Sequence, residues 1–292
     1  MQLSIFDEES RPLLQAPKGQ LLKWVGNKQR FAPAIVQAFP RKFNSYFEPF
    51  LGSGAVLGTL APKKGQASDV LAPLIGIWQW LQNDRQGLVD AYAERWHAAM
   101  AGDKVAIYLE IRARYNLSRD PADFLFLART CYGGVIRFTK DSTMNTPCGP
   151  HRPIPPEVFD KRSQIWQQRV ANVAFIHRDF ETALDAAKEG DLVYCDPPYA
   201  DSETTLYGAQ AFSLTRLFAA ILRCKDRGVF VALSIDGSKR SGTHLCNVPI
   251  PEGLFETEAL IDVGRSMLRR FQMQGQTLES EVVADRLLCT WL

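Results

Sequence analysis

Both ends of the chain alternate short apolar runs with segments of helical period. That order fits a sheet of mostly parallel strands with helices as crossovers. In the first half, the aromatic-rich run 45–50 is followed by Leu51, Gly52, Ser53 and Gly54 and then by the apolar stretch 55–60, which reads as strand, glycine turn, helix. A second strand is expected over 66–68, ending on Asp69, and helices over 71–81 and 88–100. In the second half, 173–176 and 192–195 read as short buried strands with a helix over 182–187 between them. A helix opening at Ser213, a good N-cap, closes with Lys225 and Arg227 before Gly228, and strand 229–234 follows. Further strands are expected near 260–263 and over 281–291.

Residues 104–170 interrupt this alternation. Helical patterns at 107–115 and 122–131 lead into a stretch, 132–156, that holds Pro147, Pro150, Pro153, Pro155 and Pro156 and cannot be a regular helix or a central strand. A loop of that length inside a folded protein is usually either functional or flexible. The expected fold is therefore α/β, with a mostly parallel sheet built from 18–103 and 171–292. A small helical and loop subdomain, 104–170, is expected as an insert beside the cleft, and 1–17 as a flexible N-terminal segment. Ligands of such a sheet sit beyond the carboxyl ends of its strands.

With 34 Lys and Arg against 32 Asp and Glu, the chain is nearly neutral, but its charge is unevenly spread. Residues 18–47 and 264–277 carry basic side chains and no acid, and 104–169 carry eleven Lys or Arg against six Asp or Glu. Such stretches suit contact with a polyanion. The six cysteines include no Cys-x-x-Cys pair, so reduced thiols are expected rather than a metal site or a disulfide framework. The start, MQLSIFDEES, is acidic where a signal peptide is basic, and no apolar run nears the roughly 20 residues of a membrane span, so a cytoplasmic location without membrane partners is expected.

The sharpest motif is Asp196-Pro197-Pro198-Tyr199, directly after strand 192–195. Proline has no amide hydrogen, so the carboxylate and the proline carbonyls offer acceptors only, which suits a planar amine with Tyr199 stacked on its ring. A tight turn is the plainer reading of the same residues. The second motif is Glu48-Pro49-Phe50-Leu51-Gly52-Ser53-Gly54, where close-set glycines let a ligand approach the backbone. It lacks the third glycine of the dinucleotide fingerprint and the Gly-Lys-Ser/Thr of a P-loop, which demotes NAD and ATP. Asp69, ending the next strand, stands where an acid takes ribose hydroxyls.

Lys23-Trp24-Val25-Gly26-Asn27-Lys28, then Glu48 to Gly54, then Asp196 to Tyr199, in that order and with a large insert before the last, resemble the Dam-type DNA adenine-N6 methyltransferases of the alpha motif order. The resemblance spans roughly residues 20–291. It implies a Rossmann-like methyltransferase core that binds S-adenosylmethionine, with a target-recognition subdomain inserted between its two halves. By position it puts Lys23, Trp24 and Lys28 beside the methionine end of the cofactor, with Lys23 also near DNA. It implies that Glu48, Pro49, Phe50, Gly52, Ser53 and Gly54 form the cofactor loop and that Asp69 holds the ribose. Asp179 and Phe180 match the pair that holds the cofactor adenine; a helix cap and a core residue are their plainer readings. The resemblance gives Asp196, Pro197, Pro198 and Tyr199 the catalytic role and sets Asp196 also against the cofactor.

In the insert, residues 129–138 resemble the family's recognition hairpin. Tyr132 matches the aromatic that fills the space left by a flipped base, Arg137 the base reader, and Asn145 and Pro147 also fall on family positions. Arg265, Arg269 and Arg270 match a basic hairpin that meets the DNA backbone. Double-stranded DNA is thus the implied partner and no metal is implied. A monomer is the simple default, and a cognate restriction nuclease or a phage setting is left open. Gly133, Thr139 and Pro150 replace residues found in relatives that methylate GATC, so the resemblance carries the chemistry but not that target. An RNA or protein amine methyltransferase, and a DNA-binding regulator with a defunct site, are the rival readings.

Overall fold

The computed structural model describes residues 15–198, 212–239, 244–245, 249–264 and 283–292. In chain order its elements are α1 (Ala32–Gln37), β1 (Tyr46–Glu48), α2 (Ala55–Leu60), β2 (Gly65–Asp69), α3 (Ala72–Asn83), α4 (Arg85–Ala101), α5 (Lys104–Ser118) and α6 (Pro121–Thr130). After a single 3-10 turn at Tyr132–Gly134 come α7 (Pro156–Arg169), β3 (Val173–His177), α8 (Phe180–Asp185), β4 (Leu192–Cys195) and α9 (Leu214–Asp226). The chain closes with β5 (Phe230–Lys239), β6 (His244–Leu245), β7 (Thr257–Gly264) and β8 (Val283–Cys289). The strands form one sheet in the order β3-β2-β1-β4-β5-β8-β7, with β6 paired to β5.

The pairs β1–β2, β2–β3, β1–β4 and β4–β5 are parallel, while β8 runs antiparallel to both β5 and β7. The expected mostly parallel α/β sheet is what forms, doubly wound in the Rossmann manner. Winding starts at β1, moves outward through β2 to β3, then returns across β1 to β4. The crevice beyond the carboxyl ends of β1 and β4 is therefore the switch point where such sheets bind ligands.

Strand residues alternate between two hydrophobic clusters, one on each face of the sheet. Along β4, Leu192 and Tyr194 belong to one cluster and Val193 and Cys195 to the other. The larger cluster also takes in Trp78 of α3, Tyr92 of α4, Tyr108 of α5, Phe124 and Phe126 of α6 and Trp166 of α7, so the helices of 104–169 share a core with the sheet. The smaller cluster covers the other face with α8 and α9. Asp123, fully buried in α6, ties three helices together: it accepts from Arg95 at 2.7 Å and from Arg114 at 2.6 and 2.7 Å. Burial alone would push its carboxyl up, but the two arginines more than offset this and hold it below the ordinary value.

Helix starts follow their caps. Asp84, Asp103, Asp120, Asp179 and Ser213 each accept a backbone N–H in the first turn of the helix that follows. Two helices depart from the sequence expectation. The first, α1, is too short to show a period. The second, α7, begins at Pro156 inside the stretch read as loop, because a proline at the first helical position gives up an N–H that had no partner there. Strand β5 also runs on to Lys239, beyond the expected end at 234. Cys131, Cys195, Cys224 and Cys289 are buried thiols, Cys148 is half-buried, and Cys246 lies outside the described residues. Among the described residues no helix is long and apolar enough to cross a membrane.

Candidate active site

The turn leaving β1 needs its glycines. Gly52 and Gly54 hold φ of 47° and 64°, and a Cβ would sit 3.1 Å from the Trp24 indole nitrogen at Gly52 and 3.0 Å from the Trp78 ring at Gly54. Asp69 at the end of β2 fixes this turn from the side. Its Oδ2 accepts from the Gly52 amide at 3.2 Å and its Oδ1 from the Leu71 amide at 3.0 Å. The amide of Gly52 is thus spent on Asp69 rather than left for an anion. Burial pushes the Asp69 carboxyl up to about 6, against the pull of those amides.

A cavity of about 200 Å³ opens over the ends of β1, β2 and β4. Of the residues proposed from sequence, Trp24, Lys28, Glu48, Pro49, Phe50, Gly52, Ser53, Asp69, Asp179, Phe180, Asp196, Pro197 and Pro198 all line it. Gly54 stands just behind the wall as the N-cap of α2. Lys23 does not line the cavity. Its side chain lies on Gly134, where a Cβ would meet Lys23 Cγ at 2.9 Å, so it belongs to the turn that carries Tyr132. Tyr199, Arg265, Arg269 and Arg270 lie outside the described residues.

Two groups of contacts organise the cavity wall. In the first, Lys28 Nζ lies 2.9 Å from Asp196 Oδ1, with the lysine 5% exposed. Glu48, 3% exposed, accepts from the Tyr46 hydroxyl at 2.6 Å. Burial pushes Glu48 up to about 8 and the charge of Asp196 adds to this, while Tyr46 pulls it back. Near neutral pH, Glu48 therefore keeps its proton and Lys28 is the counter-charge of Asp196. Sequence reading set Lys28 beside the cofactor; the structure adds its contact with Asp196, 168 positions away.

In the second group, Phe50 and Phe180 stack at 5.3 Å between centroids, and Phe212 meets both edge-on at 5.8 Å. Asp179 caps α8 through Oδ1, which also receives Arg216 at 3.2 Å, and that guanidinium sits 5.1 Å over the Phe180 ring. Both plainer readings of this pair hold together with the cavity contact: Asp179 is a cap and Phe180 is buried. Phe212, Tyr46 and Tyr194 were missed. The one sequence signal for Phe212 is an apolar residue directly before an N-cap, a position that folds back on its own helix.

Away from the cavity, residues 131–149 form an irregular hairpin with isolated bridges Cys131–Cys148 and Phe138–Met144. The Tyr132 amide donates to the Pro147 carbonyl at 2.9 Å, and the Asn145 amide to the Arg137 carbonyl at 3.2 Å. The four residues expected to read DNA are thus brought together as two adjacent pairs. All four are exposed, Tyr132 at 41%, while Ile136, Phe138, Met144 and Thr146 point inward.

A doubly wound sheet with an acceptor-lined cleft at its switch point, joined to an exposed polar hairpin, has the features of an α/β methyltransferase. The family model for D12 class N6 adenine-specific DNA methyltransferases matches residues 24–252, and the chain belongs to that family. It is 30% identical to the type II methyltransferase M1.LlaDCHI of Lactococcus lactis subsp. cremoris over 234 residues, which cover 74% of this chain and 80% of that protein. It is 27% identical to the DNA adenine methylase of Vibrio cholerae serotype O1 over 73% of this chain and 79% of the relative. A DNA adenine methylase of Haemophilus influenzae is 27% identical over 70% and 76%.

Proposed function

We propose that the cavity binds S-adenosylmethionine and that the chain methylates the N6 amine of an adenine flipped out of duplex DNA, at a site defined by hairpin 131–149. The observation that carries this is the single cavity in which Asp196 and Pro197 share walls with Asp69, Asp179, Phe50 and Phe180. The donor set fits the group: carboxylates for ribose hydroxyls and an adenine amine, aromatic rings for a purine, and glycines that leave the backbone open to approach. When bound, S-adenosylmethionine supplies an electrophilic methyl group.

The residues of the chain do the rest. Adenine's amine is a poor nucleophile because its lone pair is delocalised into the ring. The Asp196 carboxylate and the Pro197 carbonyl accept its two hydrogens, which localises the lone pair and aims it out of the ring plane. The amine proton becomes acidic only as the new C–N bond forms and passes to the Asp196 carboxylate then, so Asp196 need not be a strong base. Lys28 supplies the buried counter-charge that fixes the carboxylate, and Glu48, kept neutral, avoids a second negative charge beside it. A stacked base cannot reach this cavity, so extrusion at a cost of about a few kcal/mol precedes chemistry, with Tyr132 exposed to fill the gap.

The test is incubation of the purified protein with methyl-labelled cofactor and unmethylated duplex DNA, followed by sequencing of modified bases. Label in N6-methyladenine at a recurring sequence is expected. No label in DNA, or label on another base, defeats the proposal.

A further inference from the structure

The outer edge of the hairpin, residues 144–151, has little regular pairing of its own. Pro147 and Pro150 carry no N–H, and most of its carbonyls look toward α5 rather than toward another strand. Four residues of α5 answer them. Lys104 Nζ donates to the carbonyls of Gly149 at 2.7 Å and of Pro150 and His151 at 3.1 Å each. The Tyr108 hydroxyl donates to the Thr146 carbonyl at 2.9 Å. Arg112 Nη1 donates to the carbonyls of Asn145 at 3.1 Å and Thr146 at 2.9 Å. Asn116 pairs with Met144 in both directions, donating at 3.0 Å and accepting at 2.8 Å.

These positions are spaced by four, so they form one ridge along the helix. Four helical residues rise about 6 Å and two extended residues about 6.6 Å, so the ridge and the extended chain run in near step. The order is antiparallel: Asn116 meets 144, Arg112 meets 145 and 146, and Lys104 meets 149–151. Lys104 and Arg112 have no ion pair among the described residues, so their charged donors are committed to carbonyls.

We infer that Lys104, Tyr108, Arg112 and Asn116 are positioning residues for sequence recognition, setting the register in which Asn145 and Pro147 meet DNA. Asn145 is where this acts most directly. Its amide is held by the Arg137 carbonyl and its own carbonyl by Arg112, so its exposed side chain and that of Arg137 are presented from one clamped backbone. Thr146 completes the clamp: its hydroxyl takes the Arg137 amide at 2.9 Å and donates to the Val135 carbonyl at 3.0 Å. A base contact discriminates only while its donors hold their geometry, so loosening the ridge costs selectivity before it costs chemistry. The inference rests on the reading of hairpin 131–149 as the element that meets DNA.

The test uses the full chain, S-adenosylmethionine and PCR-amplified bacterial genomic DNA, with modified-base sequencing as readout. Wild type is expected to give one motif. In Arg112→Met and Asn116→Asp, methylation at sequences one base away from that motif rises about tenfold relative to the motif itself. Binding of S-adenosylhomocysteine stays unchanged, and Arg112→Lys recovers part of the selectivity. Tyr108→Phe, which deletes one hydroxyl, repeats the measurement should the larger changes prevent folding. An unaltered motif and ratio in the folded variants overturns the inference, as does a loss of selectivity that always comes with an equal loss of S-adenosylhomocysteine binding. Absence of N6-methyladenine with wild type instead defeats the reading of the cavity.

Discussion

In the cleft, polar groups that are buried or half-buried hold one another: Lys28 with Asp196, Tyr46 with Glu48, Gly52 with Asp69. In the hairpin, the side chains that face outward, Tyr132, Arg137, Asn145 and Pro147, are exposed, and it is their backbone that is tied down. Preorganisation of charge is what a group-transfer step requires, and it is obtained by burying titratable groups at the ends of central strands. Reading a sequence requires exposed side chains on a fixed frame. The first arrangement resists substitution; the second allows the outward side chains to change while the frame stays.

The strongest way to separate the two regions is Asp196→Ala. Methyl transfer to duplex DNA is expected to fall by at least about 10²–10³-fold, because the acceptor that aligns the amine is gone. Binding of DNA through the hairpin and of S-adenosylhomocysteine should persist, the latter read by calorimetry. Turnover close to wild type would mean that the cleft does not carry the chemistry.

Phe180→Ala comes next. The ring is 3% exposed and packs on Phe50 and Phe212. Its loss should cost about 3 kcal/mol of stability or more in denaturant titration, together with weaker S-adenosylhomocysteine binding and an unchanged methylation motif. A changed motif with intact cofactor binding would blur the division between the regions.

Much of the cleft was legible because each part is local. A strand, two glycines and a helix, or a strand followed by Asp-Pro-Pro, can be recognised in a few residues, as can the Asp and Ser caps. The partners that complete those parts are not all local. Lys28, ahead of α1, finds Asp196, beyond β4, only in the folded chain, whereas the Tyr46–Glu48 bond spans just two positions of β1. The ridge of α5 was hidden for another reason. Lys104, Arg112 and Asn116 read as the solvated side of a helix, since nothing in their spacing tells a carbonyl partner from water. The prolines of 132–156 exclude regular structure in the hairpin, but Pro156 opens a helix, where a proline at the first position is tolerated.

Glu48→Gln sharpens the account of the cleft through pH. Folded Glu48 releases its proton at about 8, against an ordinary value near 4.5. Below the ordinary value both states are protonated and its contribution is complete. As pH rises from about 4.5 to 8, the unfolded chain loses the proton first, so stability declines across that window, by about 1.4 kcal/mol per pKa unit. Asp69, pushed up to about 6, adds the same sign between about 4 and 6. The glutamine variant keeps an acceptor for Tyr46 without a titrating proton. Denaturation at pH 6 and pH 9 should show wild type losing more stability than the variant. Equal losses would mean that Glu48 is already ionised at neutral pH and sets a second negative charge beside Asp196.

Tyr132→Ala should change stability least and be the most specific. The ring is 41% exposed, and the backbone amide of Tyr132 ties the turn to the Pro147 carbonyl. Folding stability should move by no more than about 0.5 kcal/mol, and S-adenosylhomocysteine binding should not move. Productive binding of duplex DNA should weaken by about tenfold, since filling the space of an extruded base by aromatic stacking is worth about 1–3 kcal/mol. The decisive comparison is between duplexes: a target adenine opposite a mismatch is already partly unpaired, so the variant should lose less on that duplex than on a fully paired one. If the loss is the same on both, Tyr132 contributes contact area rather than base extrusion, and the hairpin's role narrows to reading sequence.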